Sequence, residues 1–204
     1  MSSAAFAFQQ QIGSELARAF GGKYRFFKSR VELRTSDQND WDVIIFAGSN
    51  KYSPYISLEF YFGRNFEAAR QLEKRLGDSP IYYHIQQYSL NRNHMKGLAY
   101  SGPYSWDLDI SKPIGSVVPE MKAAIEGMAA PFFNRFHSIE SARDAIASDD
   151  PWCFGGPIFW KQLLILDAAL NEINHFKTWA AQLDEIQRRQ AEEALNRLAE
   201  IGIR

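Results

Sequence analysis

Apolar and polar residues alternate most clearly between Trp41 and Phe62. Trp41-Asp42-Val43-Ile44-Ile45-Phe46 predicts one strand and Tyr55-Ile56-Ser57-Leu58-Glu59-Phe60-Tyr61-Phe62 the next, with the turn residues of a hairpin from Gly48 to Pro54 between them. After Gly63-Arg64 the period becomes helical. Asn65 is placed to cap a helix whose apolar face is Phe66, Ala69, Leu72 and Leu76, and Gly77 is placed to stop it.

Upstream, Phe8, Ile12, Leu16 and Phe20 recur every fourth position and predict a helix over about residues 5–20. Tyr24 to Thr35 predicts a single half-buried strand, with Phe27, Val31 and Leu33 on one side and Lys28, Arg30, Glu32 and Arg34 mostly on the other. Downstream, Asp78-Ser79-Pro80 turns the chain into a strand from Ile81 to Leu90 that carries Tyr82, His84, Gln86 and Tyr88 on one face. A further strand is expected near Leu98–Tyr100 or Tyr104–Ile110.

Beyond Lys112 the pattern is helical. Pro119 opens a helix bearing Met121, Ile125, Met128 and Phe132, which Pro131 should end or kink, and Ser138 caps a short helix bearing Ile139, Ala142 and Ile146. Residues 158–201 carry neither glycine nor proline, and Leu163, Leu166, Leu170, Ile173, Phe176, Leu183, Ile186, Leu195, Leu198 and Ile201 follow a helical stripe. Unbroken, such a helix would reach about 66 Å, against a diameter of about 43 Å for a compact chain of this length. The stripe therefore favours a break at Thr178 and a monomer that buries both halves, over a straight helix used for homodimerisation.

The fold class expected is α+β: an antiparallel or mixed sheet of about five strands flanked by helices, with a helical C-terminal third. One domain is the default for 204 residues, with residues 1–115 as helix-plus-sheet core and 116–204 as helical region. Hydrophobic residues at 46% supply a sizeable core and exclude a disordered chain. A net charge of −1 gives no overall field to draw in nucleic acid or an anionic membrane. No apolar run approaches the roughly 18 residues of a membrane-spanning helix, and the N-terminus lacks the pattern of a signal peptide. A cytoplasmic location is expected. The lone Cys153 excludes an internal disulfide and suits a buried structural thiol.

Chemistry-bearing residues gather in the sheet region. Trp106-Asp107-Leu108-Asp109-Ile110 puts two acids on one face of a strand, where Glu59 could join them as ligands of a hard metal; alternatively these acids answer Arg30 and Arg34 across strands. The basic-aromatic run Tyr24 to Arg34 suits single-stranded nucleic acid, but Glu32 interrupts it. No serine elbow, phosphate-binding glycine loop or zinc-spaced histidine pair is present.

The order helix, three strands, helix, strand over roughly residues 5–90 resembles the α-β-β-β-α-β core of the PD-(D/E)xK nuclease-like superfamily. That resemblance implies Asp42 and Glu59 as the motif acids, Glu15 as an accessory, and a Mg²⁺ ion that activates water against a phosphodiester. Tyr61 stands where the motif lysine belongs, and no proline precedes Asp42. Without the lysine, the expectation is a non-catalytic, cofactor-free interaction protein, of a kind that fits bacterial immunity or defence. Arg30, Arg34, Tyr61, Tyr82, His84, Gln86 and Tyr88 would form its binding surface, for a protein partner rather than nucleic acid, with no membrane involved. The alternative is a metal-dependent phosphodiesterase or nuclease-like enzyme.

Overall fold

A computed structural model describes residues 3–21, 24–27, 30–34, 40–52, 54–77, 81 and 83–203, with the backbone alone described at 3–6, 24–27, 30–34, 46–52, 89, 90 and 116. The architecture is α+β. Helix α1 (Ser3–Ala19) precedes strands β1 (Tyr24–Phe27), β2 (Arg30–Arg34), β3 (Trp41–Tyr52) and β4 (Tyr55–Asn65); helix α2 (Glu67–Leu76) leads to β5 (Ile85–Tyr88) and β6 (Ser105–Asp109). The six strands form one sheet in the order β1-β2-β3-β4-β5, with β6 also on β4. The pairs β1–β2, β2–β3 and β4–β6 are antiparallel.

Two sequence expectations change here. Tyr24 to Thr35 is not one strand, because its two halves pair with each other and place Phe26 opposite Val31. Four strands thus separate α1 from α2 where the nuclease-like order has three. The strand expected over Ile81–Leu90 is confined to Ile85–Tyr88, and Ser89–His94 coils into a 3-10 turn.

The chain divides into two compact units, neither a continuous stretch: Met1–Gly63 with Gln87–Asn134, and Arg64–Gln86 with Arg135–Arg204. In the first, β4 alternates as the sequence predicts. Ile56, Leu58, Phe60 and Phe62 are buried while Ser57, Glu59 and Tyr61 are half-exposed. Phe8, Ile12 and Leu16 of α1 join this core, and Phe62 meets the rings of Phe132 and Phe133.

Phe132 and Phe133 come from a helical stretch that continues through Pro131: α3 (Val118–Ala124), a π turn (Ile125–Ala129) and α4 (Ala130–Arg135). Pro131 has no N–H for Gly127, four residues back, and its ring crowds that carbonyl. The wider π turn just ahead of it, where Ala130 N donates to Ile125 O, accommodates the proline so that the helix does not end. Gly127 lies in this turn beneath the ring of Tyr100, which a Cβ at that position would overlap. Gly127→Ala is therefore expected to cost about 1–3 kcal/mol. Tyr100→Ala in the same chain should recover part of that loss, as a double-mutant cycle of urea midpoints would show.

In the second unit, α2 ends at Gly77, whose φ of 68° is the left-handed cap the sequence predicts. Its N-cap is Phe66 rather than Asn65, because Asn65 ends β4 and its side chain accepts from Arg70 instead. Helix α5 (Ile139–Ala147) starts at Ser138 with a reciprocal cap from Ser141. The long helical stretch breaks twice, into α6 (Trp160–Ala169), α7 (Ile173–Trp179) and α8 (Glu185–Glu200). Thr178 is not the cap; its hydroxyl donates back to Asn174 O within α7. Asp184 caps α8 by accepting from Gln187 N, and Asn171 takes a left-handed φ of 59° after α6. Leu163, Leu166, Ile173, Phe176, Leu183 and Leu198 are buried as the stripe requires, but Ile186 is not.

Candidate carboxylate-tyrosine face

The alternation of β4 leaves Tyr55, Ser57, Glu59 and Tyr61 on the side away from the core, and the β4–β6 register sets Asp109 opposite Tyr55, Asp107 opposite Ser57 and Ser105 opposite Glu59. Residues directly opposite in an antiparallel pair share a face. Tyr88, at the end of β5, completes this face: its ring meets that of Tyr61 edge-on at 4.0 Å between centroids. Glu59, Tyr61, Tyr88, Asp107 and Asp109 thus lie along one face in the first unit, with Asp109 and Tyr88 toward opposite ends of it.

Their environments differ. Asp109 accepts from Ser111 N at 3.0 Å and Ser111 Oγ at 2.6 Å, and Lys112 Nζ lies 3.8 Å away. These bonds, with Ser111 foremost, hold its carboxyl below the usual range, so Asp109 serves the turn that follows β6. Glu59 and Asp107 make no ion pair among the described residues. Partial burial, then Tyr88, then the charge of Glu59 raise the pKa of the Tyr61 hydroxyl, which keeps it a neutral hydrogen-bonding group.

Other expected members lie elsewhere. His84 is completely buried in the second unit. Its Nδ1 accepts from Phe66 N at 2.8 Å, which fixes the proton on Nε2, and Nε2 donates to Glu73 Oε1 at 3.2 Å. Glu73 also accepts from Arg70 at 2.7 Å and Ile81 N at 3.2 Å. Both imidazole nitrogens are engaged inside the protein, so His84 belongs to no open face. The clue was Glu73 itself, an acid on the apolar side of α2 beside Ala69 and Leu72. Gln86 is half-buried in the second unit, where its carbonyl accepts from Phe154 N. Tyr82 and the side chains of Arg30 and Arg34 fall outside the described residues. In register, Arg30 is opposite Ile45 and Arg34 opposite Trp41, so neither is a cross-strand neighbour of the β6 acids.

Asp42 is 2% exposed on β3, whereas Glu59 faces outward on β4, so the two motif acids occupy unlike surroundings. Among the described residues, no group of three or more His, Cys, Asp or Glu is placed to hold a metal ion. Cys153 is buried, and burial followed by Asp150 and Asp149 pushes its thiol well above the usual range, away from the thiolate a nucleophile needs. Among the described residues, no helix is long and apolar enough to cross a membrane.

A second charged cluster escaped the sequence. Asp167 of α6 is fully buried and holds His175 Nδ1 at 2.8 Å and Arg143 Nη1 at 3.0 Å; Arg143 also donates to Glu172 and Asp144. Its only sequence signal is an acid inside the run Leu163-Leu164-Ile165-Leu166-Asp167-Ala168.

No family model, curated protein or solved structure matches this chain.

Proposed function

We propose that this chain is a non-catalytic cytoplasmic protein that binds a protein partner through the outward face of β4, β6 and Tyr88. One observation carries this: the Tyr61–Tyr88 pair stands at one end of a sheet face on which Glu59 is the next outward residue of β4 and Asp107 lies opposite Ser57, two carboxylates without ion pairs among the described residues, with an aromatic core behind the sheet. Tyrosines supply contact area at little entropic cost and anchor interfaces. Unpaired carboxylates beside them favour a partner presenting Lys or Arg and disfavour the phosphate backbone of a nucleic acid. A role in immunity or defence suits a protein of this kind.

A photo-crosslinking residue in place of Ser57, at the centre of the face, tests the proposal in cells of the source organism. A discrete protein adduct is expected, at least tenfold weaker when Tyr61→Ala is added, since tyrosine anchors are worth about 2 kcal/mol or more. The same crosslinker at Lys177 is the control. A nucleic-acid adduct, or one indifferent to Tyr61, would overturn the proposal. So would micromolar Mn²⁺ binding lost in Glu59→Gln, which would favour the metal-dependent phosphodiesterase.

A further inference from the structure

The two most exposed isoleucines of the second unit, Ile158 at 76% and Ile186 at 71%, belong to different segments yet stand close together. Gln187, next to Ile186, donates to Pro157 O, next to Ile158, at 3.4 Å. That bond sets the start of α6 beside the start of α8. A groove of about 470 Å³ is walled by these helices, with Trp160, Lys161 and Leu164 on one side and Gln190, Glu193 and Arg197 on the other. Leu76 and Leu198 also line it. Ile186, Gln190, Glu193 and Arg197 step by four, three and four along α8, so Ile186 heads the same stripe that forms the wall. Single exposed apolar residues are ordinary, but two on neighbouring segments, at the starts of the helices that wall a groove of mixed apolar and charged lining, form a surface suited to association.

The charges on this surface identify the occupant. Lys161, on the α6 wall, lies over its own Trp160 ring at 5.5 Å and makes no ion pair among the described residues. Glu193, on the α8 wall, makes none either. One unpaired cation and one unpaired anion on opposite walls complement a second copy of the same surface turned by a two-fold axis. With the two α8 helices antiparallel, Ile186 of one copy meets the partner groove near Arg197, Leu198 and Leu76, and Gln190 meets Glu193. Lys161, near the start of its wall, meets the later half of the partner's α8, where Glu193 lies. The span from Ile186 to Arg197, about 16 Å at 1.5 Å per residue, lets the contact close reciprocally.

We propose that two copies of this chain associate through this face, each placing Ile158 and Ile186 at the groove of the other, with Lys161 paired to Glu193 across the two-fold. This surface is independent of the carboxylate-tyrosine face. It is also not the straight-helix dimer weighed from the sequence, because the folded chain buries most of that stripe.

Sedimentation velocity of the full-length protein from about 1 to 200 µM spans the affinities a small interface provides. A reversible monomer–dimer equilibrium is expected. Ile186→Asp should leave only monomer, while Lys161→Glu and Glu193→Lys should each weaken association at least tenfold. The double variant carrying both exchanges should regain it. All three positions are on the surface, and circular dichroism checks that the variants fold. Tyr61→Ala should leave the equilibrium unchanged, which separates this result from any failure of the sheet-face proposal. Monomer throughout the range, a dimer indifferent to Ile186→Asp, or no recovery in the double exchange would overturn the inference.

Discussion

Arg143→Met is expected to cost about 3–5 kcal/mol of stability at neutral pH, because it leaves a buried carboxylate without its permanent cation. Asp167 is wholly enclosed, and of its two side-chain partners His175 is the half-exposed one, while Arg143 carries a charge at every working pH. Burial raises the Asp167 pKa, and the bonds from His175 and Arg143 pull it back only in part. A carboxyl whose folded pKa is raised contributes stability that is complete below the unfolded value of about 4 and is lost as pH rises through the folded value. Without Arg143 that value climbs further. The difference between variant and wild type should therefore be largest at pH 7 and shrink toward pH 4, where Asp167 is protonated. Chemical denaturation at both pH values measures this, and Asp167→Asn added to Arg143→Met should recover part of the loss at pH 7. A loss that is equal at both pH values would show that Arg143 acts by packing, not charge.

Phe132→Ala should be comparably damaging in the first unit, at about 3–5 kcal/mol. Phe132 is fully buried, 5.1 Å from the Phe62 ring and 5.7 Å from that of Phe133, both near right angles. Truncation removes edge-to-face contacts from both neighbours and leaves a cavity that the π turn and Pro131 on one side and β4 on the other cannot readily collapse. Phe132→Leu, which fills most of the space, should cost less than half as much. Thermal unfolding would show a midpoint lowered by about 6–20 °C for the alanine variant, from about 2–4 °C per kcal/mol at this chain length. A fall of only a degree or two would mean that the aromatic cluster is not the centre of that core.

The sequence was most legible where one period governs one element. β4 alternates cleanly, and Ser138 and Gly77 mark helix ends by local chemistry that needs no distant partner. Legibility failed where a distant residue decides. The alternation from Tyr24 to Arg34 is the same for one long strand and for two that pair with each other. Pro131 is tolerated because a π turn forms before it, which no propensity announces. Much the same holds for the candidate site. The outward residues of β4 and β6 follow from alternation, but His84 shares the parity of Gln86 and Tyr88, and only the approach of Phe66 and Glu73 reveals that it is buried. Asp167 was conspicuous in an apolar run, yet its cation lies 24 positions upstream.

Because Arg64–Gln86 belongs to the same compact unit as Arg135–Arg204, this chain cannot finish its second unit in the order in which a ribosome delivers it. Helix α2 packs on α6, whose first residue is made more than eighty positions later. At about 5–20 residues per second, the Ala69–Leu72 face waits several seconds without its cover. During that interval Glu73 has Arg70, three positions before it in the same helix, as an early partner. Nascent α2 thus depends on chaperones or on early burial against its neighbours during that interval, and slow codons placed after it would lengthen the exposure.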